Sequence, residues 1–205
     1  IVLAFKFSSS AGWSYLSALI VLGIGYNFNP MQWSGQPFAG LLVHIFGAWF
    51  SFSAGWLNSG GVLQESLIPA IPIVFGFCAV YLLTTLPDIE GDKATRKITF
   101  AVRFGIIPTL NCSVAFMVLC LLTARYFQNY LLMLAVVPSL IMVIRARIYY
   151  NQKSDTLQSI RFTILYLLIV LGYKFPILLI FTSVVILLTR VYYQLRFGKK
   201  YPVLR

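Results

Sequence analysis

Pro87-Asp88-Ile89-Glu90-Gly91-Asp92-Lys93-Ala94-Thr95-Arg96-Lys97-Ile98-Thr99-Phe100-Ala101-Val102-Arg103-Phe104-Gly105 separates two long apolar runs. The chain holds 5 acidic side chains, Glu65, Asp88, Glu90, Asp92 and Asp155, and three of them fall inside 88–92. Four cations follow at once: Lys93, Arg96, Lys97 and Arg103. The flanks decide the fold. The run before this stretch, about 69–86, and the one after it, about 106–124, are continuous in Leu, Ile, Val and Phe. Runs of about 18 apolar residues or more span a bilayer, and only helices or closed barrels satisfy the backbone there. Neither run alternates as a barrel strand does. The fold class is all-α, a polytopic transmembrane helical bundle. Carboxylates are costly beside hydrocarbon, so an acidic cluster closing a membrane-length segment marks a functional site.

Composition agrees. Of 205 residues, 60% are hydrophobic and 10% charged, where soluble domains carry roughly 25% charge. The length suits a single domain. A net charge of +11 invites a nucleic-acid reading. The cations, however, lie in short connections between apolar runs, where they set topology and attract anionic lipid. Membrane lipids, and no nucleic acid, are the expected partners. Cys78, Cys112 and Cys120 lie in apolar segments without CxxC spacing, so no disulfide framework or zinc site is indicated. The sequence opens at Ile1 with neither Met nor a signal-peptide pattern. It reads as one N-terminally truncated transmembrane domain, 1–205, cut from a longer chain.

Taken in order, residues 1–7 read as the tail of a span. Complete spans are expected at about 11–26, 39–57, 69–86, 106–124 and 129–144. A polar connection containing Pro30 and Pro37 joins the first two, and Asn58-Ser59-Gly60-Gly61 breaks the chain after the second. A basic connection follows at about 145–159. The last apolar region divides at Gly172-Tyr173-Lys174-Phe175-Pro176 into a short helix (about 160–171) and a longer one reaching about 192. With one crossing per span, Lys93, Arg96, Lys97, Arg103, Arg145, Arg147, Lys153, Arg161, Arg190, Arg196, Lys199, Lys200 and Arg205 share one side. Only Lys6, Arg125 and Lys174 fall on the other. The positive-inside rule makes the rich side, and the acidic stretch with it, cytoplasmic. The expected location is a multi-pass integral membrane protein, in the plasma membrane if the source is prokaryotic.

Asp88 and Asp92 are four apart. If the third helix continues through them, both carboxylates point from one face. Glu90 then points elsewhere unless Gly91 lets the helix unwind. Magnesium takes oxygen ligands, typically one or two carboxylates plus substrate phosphates. With Lys93, Arg96, Lys97 and Arg103 alongside, the stretch suits a Mg²⁺-diphosphate, and an apolar bundle suits a long hydrocarbon tail. The implied reaction ionises a lipid diphosphate, with metal and cations stabilising the leaving group. An acceptor then captures the allylic cation. Tyr15, Tyr26, Trp33, Trp49, Trp56 and Tyr81 are candidate shields for that cation, or interface anchors.

Asp88-Ile89-Glu90-Gly91-Asp92-Lys93, followed by Lys97-Ile98-Thr99-Phe100-Ala101-Val102-Arg103-Phe104-Gly105, closely resembles the second aspartate-rich motif of the UbiA superfamily of intramembrane prenyltransferases. Tyr26-Asn27-Phe28-Asn29-Pro30 resembles that family's Tyr-Ser-x-Pro-Pro connection. The resemblance implies Mg²⁺-dependent transfer of a polyprenyl group from its diphosphate to an aromatic or lipid-like acceptor. It implies Asp88 and Asp92 as catalytic metal ligands with Glu90 as a helper. Lys93, Arg96, Lys97, Arg103, Tyr26 and Asn27 are the implied substrate contacts. The acidic pattern is similar to members acting on homogentisate, chlorophyllide, naphthoquinone or glycerol-phosphate acceptors.

There are departures. The family's first motif, NDxxDxxxD, is absent, so the chain alone is expected to be inactive. Arg96 stands where the family often has Gly, and Met31-Gln32-Trp33 replaces the usual cations after the Tyr-Pro connection. The rival reading is a membrane transporter or a non-catalytic membrane scaffold. On it, Asp88, Glu90 and Asp92 only balance nearby Lys and Arg, and the cations only set topology. His44 either relays protons or packs with a hydrogen-bonded ring. Pro69, Pro72, Pro138 and Pro176 read as helix starts or kinks.

Overall fold

The structure, a computed structural model, describes residues 5, 6, 8–149, 158, 165 and 176–198. The basic connection with Lys153, Asp155 and Arg161, the short helix expected at about 160–171, Lys174, and the tail cations Lys199, Lys200 and Arg205 lie outside the described residues. The chain falls into two compact units, Ile1–Arg161 and Phe162–Arg205.

In the first unit, α1 (Ser9–Ala18) opens on Ser8, whose Oγ accepts the Ala11 amide at 3.3 Å. This is ordinary N-capping by a side-chain oxygen. The helix widens into a π-helical segment, Leu19–Gly25, before the chain reaches Tyr26. α2 (Pro37–Asn58) begins on proline, which costs nothing at a first turn whose N–H groups have no helical partner. α3 (Leu67–Thr85) carries Pro72 inside it. After two short helices, α4 (Ile89–Ala94) and α5 (Phe100–Phe104), come α6 (Ile106–Tyr126) and α7 (Tyr130–Tyr149). Asn129 caps α7 by accepting the Leu132 amide at 3.1 Å. Among the described residues no strand occurs. The all-α expectation holds.

α1 packs on α2, α2 on α3, α3 on α6 and α6 on α7. Lipid offers no hydrophobic gain for helix association, so small side chains that permit close approach dominate the seams. Ala11, Ala48, Ala54, Ala70, Ala79, Ala124 and Ser139 are all buried. Ser113 Oγ donates to the Ala79 carbonyl at 3.0 Å, a direct α6-to-α3 bond. A core of Ala79, Leu83, Leu110, Met117, Cys120, Val136 and Val143 joins α3, α6 and α7. Large side chains such as Leu122, Leu134 and Ile141 instead face outward, as a lipid-facing surface requires.

In the second unit the described helix is α8 (Pro176–Phe197), begun by Pro176 and running past the expected limit near 192. Among the described residues five helices are long and apolar enough to cross a membrane. These lengths and this composition describe a multi-pass integral membrane protein.

Candidate functional site

The third spanning helix does not run on through the aspartates. α3 ends at Thr85, residues 86–88 turn, and α4 restarts from Asp88. Pro87 is the reason, because it has no N–H to give to a carbonyl one turn back. Gly91, expected as the place of unwinding, lies inside α4. The consequence for the carboxylates is small. The Asp92 amide donates to the Asp88 carbonyl at 2.8 Å, so one helical turn still separates them. Asp88 is exposed and its carboxylate is not spent on capping the helix. Asp92 is half-buried and anchored: Thr99 Oγ1 donates to its Oδ2 at 3.0 Å, and the Lys97 amide donates to its carbonyl at 2.8 Å.

Glu90, two positions from each aspartate, faces the other side of the turn. Among the described residues no group of three or more His, Cys, Asp or Glu is arranged to hold a metal. Asp88 and Asp92 remain the pair whose spacing suits a cation held by two carboxylates and substrate oxygens.

The cations lie along the same hairpin. Lys93, Arg96 and Arg103 are exposed and Lys97 half-buried. Arg96 has φ 58°, in the left-handed region. That conformation is why a glycine suits this position, and it costs a residue with a Cβ about 1–2 kcal/mol. Arg96→Gly is expected to raise stability by up to about 1 kcal/mol, read as a higher Tm in detergent.

The connection flagged around Tyr26 meets this hairpin. The Ile98 amide donates to the Gly35 carbonyl at 3.1 Å. Phe38 stands edge-on to Phe100 and Phe104, at 6.5 and 5.8 Å between ring centroids. Trp33, in the segment that replaces the expected cations, lies over Gly25, where a Cβ would strike its ring. Beyond burial, the charges reaching the Tyr26 phenol are those of Asp92 and then Asp88. Asn27 Nδ2 donates to the Gly23 carbonyl at 3.0 Å.

Deeper in the bundle, Tyr81 stacks on His44 with centroids 4.0 Å apart, and Tyr26 meets His44 edge-on at 5.3 Å. Of the six aromatic residues singled out in the sequence, Tyr26 and Tyr81 join this cluster and Trp33 borders it. Trp49 bonds instead to Ser66 Oγ at 3.2 Å, and Trp56 lies against Gly61, both at the opposite end of α2. A cavity of about 530 Å³ at that end is lined by Ser10, Trp13, Ser14 and Gln64 among others, and by no residue of the acidic stretch. Arg147 Nε donates to Asn111 Oδ1 at 2.8 Å. This holds the end of α7 beside the start of α6, where the acidic hairpin leads in.

Two contributors were not legible beforehand. Thr99 lies seven residues past Asp92 on a chain that leaves the helix after Ala94, so no periodicity links the two. The π-helical segment that presents Tyr26 has no sequence signature, although such segments recur at functional sites.

These features define a helical membrane protein that gathers carboxylates and cations on one polar hairpin at its helix ends. The chain belongs to the UbiA prenyltransferase family, whose profile matches residues 1–169. It is 29% identical over 101 residues to a 1,4-dihydroxy-2-naphthoate octaprenyltransferase of Bacillus subtilis (strain 168). The match takes in 48% of this chain and 32% of that enzyme, so the chain spans about a third of the length of the curated relative it matches. No solved structure matches the chain significantly.

Proposed function

We propose that the protein transfers a polyprenyl group from its diphosphate to an aromatic or lipid-like acceptor within the membrane, in a Mg²⁺-dependent reaction. The observation that carries this reading is the pair Asp88 and Asp92, one turn apart, with Thr99 fixing the second. Asp88 and Asp92 would hold Mg²⁺, which when bound supplies positive charge to the diphosphate leaving group. Lys93, Arg96, Lys97 and Arg103 add charge from the same hairpin, and the charges of Asp92 and Asp88 reach the Tyr26 phenol. The ring face of the half-buried Tyr26 suits an allylic cation. The acceptor class is supported by the relative named for 1,4-dihydroxy-2-naphthoate. On the positive-inside rule this end of the bundle faces the cytoplasm. The family assignment weighs against the transporter or scaffold reading.

The test is prenyl transfer by the full-length protein in membranes, using radiolabelled polyprenyl diphosphates with and without Mg²⁺. Metal-dependent, lipid-soluble product is expected. No product across prenyl lengths and hydroxylated ring acceptors would defeat the reading.

The anchoring bond gives a finer expectation. Thr99→Val keeps the shape of a residue that is 6% exposed but removes the donor to Asp92. Losing an outer partner of a metal ligand typically costs about 10–100-fold. Turnover should fall by about that factor while Tm changes little, and unchanged turnover would show that the bond does not position Asp92.

A further inference from the structure

His44 is the only histidine in the sequence. Its Nδ1 lies 2.7 Å from the Gly40 carbonyl oxygen. A carbonyl only accepts, so Nδ1 carries the hydrogen, and the neutral ring then presents a lone pair at Nε2. Three contacts fix the plane of that ring. Tyr81 lies flat on it at 4.0 Å and 21°, Tyr26 abuts it edge-on at 5.3 Å and 83°, and the Gly40 bond sets its rotation. Beyond burial, the charge of Asp92 reaches the Tyr26 phenol of this cluster.

Among the described residues Nε2 has no hydrogen-bond partner, and it is not among the side-chain atoms sealed from solvent without one. His44 is half-buried. A fixed, accessible acceptor at the wall of an apolar bundle is open to a donor from outside the chain. What pairs best is a neutral donor on a group flat enough to lie among aromatic faces. A ring hydroxyl has that chemistry. An aliphatic chain would leave Nε2 unpaired, and an anion would meet its lone pair.

We propose that His44 orients the acceptor, Nε2 accepting a hydrogen bond from a hydroxyl on an aromatic ring; this rests on the prenyl-transfer reading of the same site. His44 thereby selects hydroxylated rings over other hydrophobic acceptors. The sequence left this residue as a proton relay or a packed side chain. The structure gives it the bonded Nδ1 of a packed ring and, at Nε2, a free acceptor.

The experiment uses full-length protein with ¹⁵N-labelled histidine in lipid nanodiscs, the His44 signals being identified by their loss in His44→Phe. The free protein should show the Nδ1–H tautomer. Adding 1,4-dihydroxynaphthalene should shift the Nε2 signal in the direction of hydrogen bonding, while naphthalene leaves it in place. In turnover, His44→Phe should raise KM for a hydroxylated ring acceptor about tenfold and leave KM for the prenyl diphosphate unchanged. No shift with the diol, or an equal shift with naphthalene, overturns the proposal. Because the signal is read without turnover, its failure is distinct from failure of the protein to transfer prenyl groups.

Discussion

Asp92→Ala is expected to remove prenyl transfer almost completely, with kcat/KM falling by roughly 10³-fold or more; losing one preorganised charge-stabilising group typically costs about 10²–10³. Asp92 has two roles, and the alanine variant loses both. It removes a carboxylate from the pair and leaves the buried Thr99 hydroxyl without its acceptor. Asp92→Asn separates the roles, since its amide oxygen still accepts from Thr99 while the negative charge is gone. If charge at the leaving diphosphate is what matters, Asp92→Asn should be nearly as inactive as Asp92→Ala yet keep the parent Tm. Asp88→Ala should lose a similar factor with no effect on folding, because Asp88 is exposed and makes no capping bond. Initial rates with radiolabelled diphosphate, beside thermal unfolding of each variant, check all three. Full activity in Asp88→Ala would remove Asp88 from the site.

Gly40→Ala has the largest expected effect on stability. A Cβ at Gly40 would collide with the Tyr81 hydroxyl, and Tyr81 is 3% exposed, with no room to retreat. Overpacking of this kind costs about 1–3 kcal/mol. The same hydroxyl is buried without a hydrogen-bond partner, and an unpaired buried group of this kind costs about 1–3 kcal/mol. Tyr81→Phe removes it, so that variant alone should be more stable than the parent. Combined with Gly40→Ala it should recover most of the loss, because the atom in the way is gone. Neighbours sharing a contact are not additive. Additive Tm changes in the double variant would show that the two residues do not meet in this way.

The arrangement of spans was written plainly in the sequence. Apolar length placed the spans expected at about 39–57, 69–86, 106–124 and 129–144 to within about five residues, whereas the span expected at about 11–26 forms a shorter apolar helix, Ser9–Gly25; the acidic stretch stood out because carboxylates are so scarce elsewhere. The meeting of the Tyr26 connection with the acidic hairpin was suggested only by family resemblance. It depends on the Ile98-to-Gly35 bond and the Phe38 contacts, which join segments some sixty residues apart and leave no periodic trace. The break before Asp88 was legible in Pro87, yet helical continuity was the simpler reading of an unbroken apolar run. Arg96 looked like a departure from a glycine pattern, and its left-handed backbone supplies the physical meaning of that pattern.

The central claim is that Asp88 and Asp92 together hold a divalent cation for a lipid diphosphate. The most direct measurement is Mn²⁺ binding, by electron paramagnetic resonance, to full-length protein with and without a non-reacting polyprenyl thiodiphosphate. The account predicts bound Mn²⁺ that depends on the diphosphate and is lost in Asp88→Ala and Asp92→Ala, each still folded. Diphosphate-dependent Mn²⁺ binding that persists undiminished in both variants would contradict it.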